Sequence, residues 1–281
     1  MKFAVGSSKI SAKDQEELKR LAEAAKGFTG FIVEVMGYAD EEPSKAIFVA
    51  YDALTPDAPA LPLPEASQKE LQLYEHTASG LHFICHLPSG AAWNGACAAG
   101  MAAEAPEGKG SSVQNAISRD GSEVFWTAYK GTLETTPRGI PGTVYMRRSP
   151  EQAQSKVAGG KCSEPEAACT IPVSGSVTPG PAQFWGASDD GSRAIFKVVA
   201  AAGETNPLAN NLYEFDVASR KSRLIAGGVE GPMGMSEDAS HIYFDSTAVL
   251  GEGASEGAKA GAHNLYLYQA PAEEEIGRAH V

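Results

Sequence analysis

With 281 residues and a hydrophobic fraction of 43%, the chain is long and apolar enough to bury a sizeable core, which excludes wholesale disorder. A formal net charge of −12 argues against a nucleic-acid partner, because phosphate binding requires a basic surface. No run of about eighteen apolar residues occurs, so no membrane span is expected, and 30 Gly with 17 Pro favour many short strands over long helices.

The opening residues, Met1 to Asp14, lack the apolar core of a secretory leader. Ser11 to Lys26 has a helical period: Leu18, Leu21, Ala22 and Ala25 fall on one face, with charges on the other. Ser11 is a natural N-cap, Asp14 is placed to return a capping contact, and Gly27 stops the helix. The β-branched run from Phe31 to Met36 then reads as a strand, so residues 1–40 are β-α-β in character. After Asp40 the helical period vanishes and short strand-like runs alternate with turns, which places a boundary near residues 40–45.

Three in-phase repeats follow. Ala116-Ile-Ser-Arg-Asp-Gly-Ser-Glu-Val-Phe-Trp126 recurs as Gly186-Ala-Ser-Asp-Asp-Gly-Ser-Arg-Ala-Ile-Phe196 and again as Gly234-Met-Ser-Glu-Asp-Ala-Ser-His-Ile-Tyr-Phe244. In each, a small residue and Ser end a first strand, Asp-Gly supplies the left-handed backbone of a tight hairpin, and an aromatic second strand returns. In the third copy Ala239 replaces Gly, so a looser turn is expected there. Thr143–Met146, Asn211–Phe215 and Asn264–Tyr268 read as third strands, and Ser222–Ala226 as a fourth. Upstream, Ala46–Tyr51, Leu71–Glu75 and Gly80–Cys85 read as second, third and fourth strands of a unit with no first strand. At the other end no fourth strand follows Tyr268. Four antiparallel strands per repeat, with apolar faces buried only against neighbouring repeats, describe about four blades of a partial β-propeller: a mainly β fold forming an arc of a larger ring.

Few residues carry a chemical signal. His82 and His86 flank Cys85, but at about 3.3 Å per strand residue they stand too far apart to share a metal ion and read as polar residues on the wetter face. Cys85 alternates with Phe83 and Leu87 and reads as core, while Cys97 sits in an Ala/Gly-rich loop without assignment. Cys162 and Cys169 bracket a short loop, either as a disulfide strap or as two free thiols. Asp120, Asp189 and Asp190 read as turn formers before calcium ligands, since calcium needs more oxygens than these turns offer. Trp126 and Trp185 border the repeated strands and read as core before ligand platforms. His76, His241 and His263 have no partner visible in the sequence. Gly251-x-Gly253 sits in Ala/Gly/Ser filler and reads as loop, and no phosphate-cradling Gly-rich loop or Ser-x-x-Lys pair is present.

The Ser-x-Asp-Gly-Ser turn before an aromatic strand resembles the TolB-like, WD-repeat-like propeller repeats of bacterial envelope and secreted proteins, over about residues 41–270. The opening segment is similar to the start of an OmpA-like peptidoglycan-binding domain, in Phe3–Ser8, Lys9-Ile10-Ser11, the helix, and Ile32 to Asp40 with its Gly-x-x-Asp ending. That resemblance implies that Asp40 helps to hold the diaminopimelate of a peptidoglycan stem peptide, although the family's partner Arg and its helix have no counterpart here. The tail Glu275–Val281 resembles read-through of a sequencing-library adapter, so residues 271–281 are expected to be non-native or disordered. A fused, truncated product would account together for the absent signal peptide, the half domain and both interrupted blades.

The resemblances imply an extracytoplasmic protein, in the cell envelope or secreted. It is expected to act as a non-enzymatic scaffold that binds a protein or glycan, without cofactor or metal. Two other readings stay open: a peptidoglycan anchor acting through Asp40, and a propeller-fold hydrolase or lyase.

Overall fold

The computed structural model describes residues 45–61, 71–100, 114–129, 142–159, 161–164, 166–177, 181–200, 205–251 and 257–270, with the backbone of Phe31–Ile32. The expected helix over residues 11–26, the rest of the Phe31–Met36 strand and the tail 271–281 lie outside these residues. The described chain is mainly β and its strands pair antiparallel.

The first sheet has the order β1 (Phe31–Ile32), β2 (Ala46–Ala50), β3 (Gln72–Thr77), β4 (Gly80–Phe83). The unit that the sequence leaves without a first strand thus takes one from the opening segment: Phe31 lies opposite Ala50 and Ile32 opposite Val49. The second sheet contains β5 (Ala96–Ala99), β6 (Glu123–Tyr129) and β7 (Thr143–Arg148). A short hairpin of β8 (Val157–Ala158) and β9 (Lys161–Cys162) then leads to β10 (Cys169–Pro172), which pairs with β7. β11 (Ala182–Ala187), β12 (Arg193–Val198), β13 (Leu212–Asp216) and β14 (Lys221–Ala226) form the third sheet in sequence order. β15 (Val229–Met235), β16 (His241–Ser246) and β17 (Asn264–Gln269) form a three-stranded fourth sheet.

One expectation about phase is corrected. The first strand of the second sheet is β5, and Ala116-Ile-Ser is not continuous with it but still lies along the start of β6. The Phe125 N–H donates to the Ala116 carbonyl at 2.7 Å, the Ser118 N–H donates to the Glu123 carbonyl at 2.9 Å, and Ile117 bridges Val124. Just before these residues the chain touches the third sheet, where Gln114 bridges Gly186 in parallel and its carbonyl accepts the Ala187 N–H at 3.0 Å. A Cβ at Gly186 would press on the Met235 methyl and crowd the Gln114 carbonyl, so a larger residue there requires the Met235 side chain to move.

The four sheets share one internal signature. The second strand places an aromatic ring directly opposite a tyrosine of the third: Phe48–Tyr74, Trp126–Tyr145, Phe196–Tyr213 and Phe244–Tyr266. The rings stack with centroids 4.8–5.9 Å apart. Each pair adds about 0.5–1.5 kcal/mol beyond the area it buries. In the first and fourth sheets the tyrosine hydroxyl also fastens the loop after the second strand. Tyr74 Oη accepts the Leu54 N–H and donates to the Asp52 carbonyl, as Tyr266 Oη does with Leu250 and Ala248.

The opposite face of each of the first three sheets presents its apolar residues to the sheet that follows. One core runs through the first three sheets, with Phe125 of β6 stacked on Phe184 of β11 at 5.4 Å. A second, smaller core holds Ile195 and Leu212 of the third sheet against Ile242 and Phe244 of the fourth.

The repeated hairpins are superimposable in their hydrogen bonds. Ser118 Oγ donates to Asp120, whose carboxylate accepts the Ser122 N–H, while the Glu123 N–H donates back to Ser118 Oγ. The same three bonds recur at Ser188, Asp190, Ser192 and Arg193, and at Ser236, Asp238, Ser240 and His241. The third turn is therefore not looser, contrary to what its Ala239 suggests. Ala239 adopts φ +55°, beside +70° at Gly121 and +73° at Gly191, because the side-chain bonds around it fix the backbone. A left-handed conformation costs a non-glycine residue about 1–2 kcal/mol, and the turn holds regardless.

Two disulfides cross-link the chain. Cys162 is joined to Cys169, which straps the loop between β9 and β10. Cys85 is joined to Cys97 and so ties the end of the first sheet to the first strand of the second. Cys85 is a core residue as its alternation suggests, but its sulfur is bonded, and its partner is Cys97, which lies in strand β5 and not in a loop as its Ala/Gly-rich surroundings suggest.

Candidate functional site

Charged side chains gather in the interior where the first sheet meets the second. Lys45, immediately before β2, reaches across this seam: its Nζ lies 3.1 Å from Glu151 Oε2 and donates to the Gly121 carbonyl at 3.3 Å. The same ammonium is 3.6 Å from Glu75 Oε1, an ion pair too long to be a hydrogen bond. Glu75 occupies the middle of β3, fully buried, because strand alternation turns it away from the Tyr74 face and into the sheet–sheet junction. Burial pushes its carboxyl up to about 7, against the downward pull of Lys45.

Arg147 enters the same seam from β7. It is buried, and its Nη1 donates to Gln154 Oε1 at 2.6 Å and to Thr170 Oγ1 at 3.1 Å. Burial lowers its pKa to about 10, opposed by the attraction of Asp57 and Glu75. His86 lies nearby with its ring edge-on to Phe83 at 5.3 Å and Nε2 3.3 Å from Asp57 Oδ2. Burial, with the Arg147 charge, lowers its pKa to about 4 and keeps it neutral at neutral pH. The expectation that His86 sits on a wetter strand face is thus corrected. β4 ends at Phe83, and the chain beyond it turns His86 inward to bridge Ala92. His82, on β4, is half-buried and contacts the hydroxyls of Ser79 and Thr77.

The position of Glu75 in its sheet is that of Glu214 in the third, one residue after the stacked tyrosine. Glu214 is also buried, accepts Arg223 Nη2 and the Tyr268 hydroxyl, and lies 3.6 Å from Arg193. Glu75 is thus linked to the next sheet through Lys45, whereas the cations on Glu214 belong to its own sheet and its link to the next is the Tyr268 hydroxyl.

The acidic hairpin turns spend their carboxylates locally. Burial works against the charge of Asp120 and Asp190, yet bonds from Ser118 and Ser122, and from Ser188 and Ser192, hold both below the ordinary carboxylate range. Asp189 pairs with the Arg119 guanidinium, which also reaches Glu237 at 3.5 Å. Trp126 is fully buried, whereas half-buried Trp185 has Lys197 Nζ 5.9 Å from its ring centroid. Two of the histidines without a visible partner acquire local ones: His263 contacts Asp245 at 2.6 Å, and His241 lies beside Ser240 and Gln269.

Among the described residues, no three His, Cys, Asp or Glu side chains converge as a metal site. None of the described helices is long and apolar enough to cross a membrane. Asp40, the peptidoglycan-binding candidate, lies outside the described residues. The sequence between β16 and β17 contains the nucleophile-elbow spacing Gly253-Ala-Ser-Glu-Gly257, most of which lies outside the described residues. It connects two antiparallel strands, β16 and β17, whereas an elbow requires a strand running into a helix.

Sequence reasoning misses the Lys45–Glu75–Arg147–His86 seam. Its residues are scattered over about a hundred positions and share no motif; the one available signal is a carboxylate, Glu75, directly after Leu73-Tyr74 within a strand. No protein-family model matches the chain, and no curated protein is similar to it.

Proposed function

We propose that the four sheets are blades of a TolB-like β-propeller arc, and that the protein is a non-enzymatic scaffold of the cell envelope or extracellular space that binds a protein or glycan. The observation that carries this reading is the recurrence of one unit. The same aromatic–tyrosine pair sits in all four sheets, and the same Ser/Asp hairpin precedes the second strand in three of them. Repetition of this kind builds a stiff platform whose connecting loops are free to vary. The Cys85–Cys97 and Cys162–Cys169 bonds support an oxidising compartment. The charged seam supports a structural role, because Glu75 is wholly enclosed and a general acid or base must reach its substrate.

Binding to a glycan array and to purified peptidoglycan, run beside chromogenic glycosidase, esterase and polysaccharide-lyase assays, tests the reading. Retention without turnover is expected for a glycan-binding scaffold, and turnover above that of heat-denatured protein would overturn it.

A further inference from the structure

Among the described residues, nothing covers the face of the fourth sheet that every other sheet buries. When the sheets are aligned on their aromatic–tyrosine pairs, Tyr243, Leu265 and Leu267 correspond to Ile195, Leu212 and Glu214 of the third sheet. The third-sheet residues are 0%, 0% and 5% exposed, because the fourth sheet packs over them; the fourth-sheet residues are 47%, 67% and 44% exposed. Tyr243 lies directly opposite Leu267, so these side chains form one continuous apolar patch.

What covers this face elsewhere is the aromatic side of another sheet. For the third sheet the cover comes from Ile242, Phe244 and Tyr268 of the fourth. The corresponding residues of the first sheet are Ala46, Phe48 and His76, and all three keep part of their surface exposed. The loop fastened to Tyr74 does not block them. The equivalent loop is fastened to Tyr266 in the same way, and the fourth sheet docks with it in place.

We propose that the chain associates head to tail with a second copy of itself, the Tyr243–Leu265–Leu267 face of one molecule packing on the Phe48 face of the next. The third-to-fourth junction supplies the register. There Tyr268 Oη donates to Glu214 Oε2 at 2.8 Å, and the same pairing brings Leu267 against His76 of the second copy. Such an interface is heterologous, so it closes a ring or grows into a chain of molecules. It is driven by apolar burial and opposed by the net charge of −12 on each copy, so screening salt strengthens it.

Sedimentation of the whole protein at increasing concentration tests the proposal. The mass is expected to rise above that of the monomer, more so at high salt. Leu265→Glu with Leu267→Lys is expected to keep it monomeric with an unchanged circular dichroism spectrum and thermal midpoint. No described cysteine is free, so introduced thiols report cleanly. Mixing Leu267→Cys with His76→Cys is expected to give a disulfide-linked heterodimer that neither variant forms alone. Two results would overturn the proposal: a monomer at every soluble concentration, which would assign the face to a different partner, or equally efficient cross-linking of Leu267→Cys with itself, which would mean face-to-face packing.

Discussion

The backbone N–H of Arg119 donates to the carbonyl of Asp189 at 2.6 Å. These residues follow the serine of the first and second repeated hairpins, and the link continues: the Asp189 N–H donates to the carbonyl of Glu237, in the third hairpin, at 2.7 Å. Equivalent turns of successive sheets are thus joined through their main chains in a single line, with the Arg119 guanidinium alongside Asp189 and Glu237. This ties the sequence repeat to a spatial one, because only sheets presented in the same orientation bring the same turn atoms together each time.

The hairpins should be sensitive to the loss of glycine in proportion to their surroundings. Gly191 sits at φ +73°, and a Cβ there would collide with the Glu123 carboxylate of the neighbouring sheet. Gly191→Ala is expected to cost about 1–2 kcal/mol for the left-handed backbone, plus displacement of Glu123 from Arg148. Ala239→Gly is expected to change stability little, since relief of the same strain offsets the loss of a buried methyl worth about 0.8 kcal/mol. Urea unfolding of both variants measures this, and a neutral Gly191→Ala would contradict it.

The charged seam should reveal itself in the pH dependence of stability. Glu75 has a folded pKa of about 7, above its ordinary 4.5, so its contribution is full below pH 4.5 and is lost as pH rises through 7. His86 has a folded pKa of about 4, below its ordinary 6.5, so its contribution is full above pH 6.5 and is lost as pH falls through 4. Each shift corresponds to about 3 kcal/mol, and between pH 4.5 and 6.5 the two slopes oppose each other. Glu75→Gln should therefore unmask a loss of stability towards acid, and His86→Gln a loss towards pH 7. Unfolding free energies at stepped pH provide the comparison; two variant profiles running parallel to the parent would refute the coupling.

The disulfides should differ in accessibility. Cys85 and Cys97 are both fully buried, whereas Cys162 is half-exposed beside buried Cys169. Mild reductant under native conditions is expected to open Cys162–Cys169 first, with Cys85–Cys97 reduced only on unfolding, as alkylation and mass spectrometry would show. Replacing Cys85 and Cys97 by alanine is expected to cost roughly 3 kcal/mol, given the short loop they close. Simultaneous reduction of both bonds in folded protein would argue against this order.

The tyrosine hydroxyls should carry more than their stacking. Tyr74 Oη serves the Leu54 N–H, the Asp52 carbonyl and Gln72 Oε1. Tyr74→Phe leaves those groups without their partner and is expected to cost about 1–3 kcal/mol while preserving the ring contact with Phe48. Thermal unfolding monitored by near-ultraviolet circular dichroism reads both quantities; an unchanged midpoint would remove the hydroxyl from the account.

Much of the fold was legible because it rests on local chemistry. Ser118-x-Asp120-Gly121-Ser122 closes its turn with its own side chains, so the hairpin can be read wherever the pattern stands. Thr143–Met146, Asn211–Phe215, Asn264–Tyr268 and Ser222–Ala226 announce themselves as strands by β-branched and aromatic content. The same local reasoning misjudged Ala239, because residue propensity favours glycine there while the bonds from Ser236 and Ser240 to Asp238 hold the turn without one. It also placed His86 on a wet face, since a strand that ends three residues earlier cannot be inferred from alternation alone.

The sequence by itself determined the second and third strands of the repeated units, the tight hairpin turns, and that one unit recurs, because these depend on residues a few positions apart; it did not mark β5 or β8 to β10 as strands. Tertiary structure alone decided that Phe31–Ile32 completes the first sheet, that Cys85 bonds Cys97, and that Glu75, Lys45, Arg147 and His86 meet. These contacts join segments brought together only when whole sheets stack, and the burial that shifts the pKa values of Glu75 and His86 exists only after stacking.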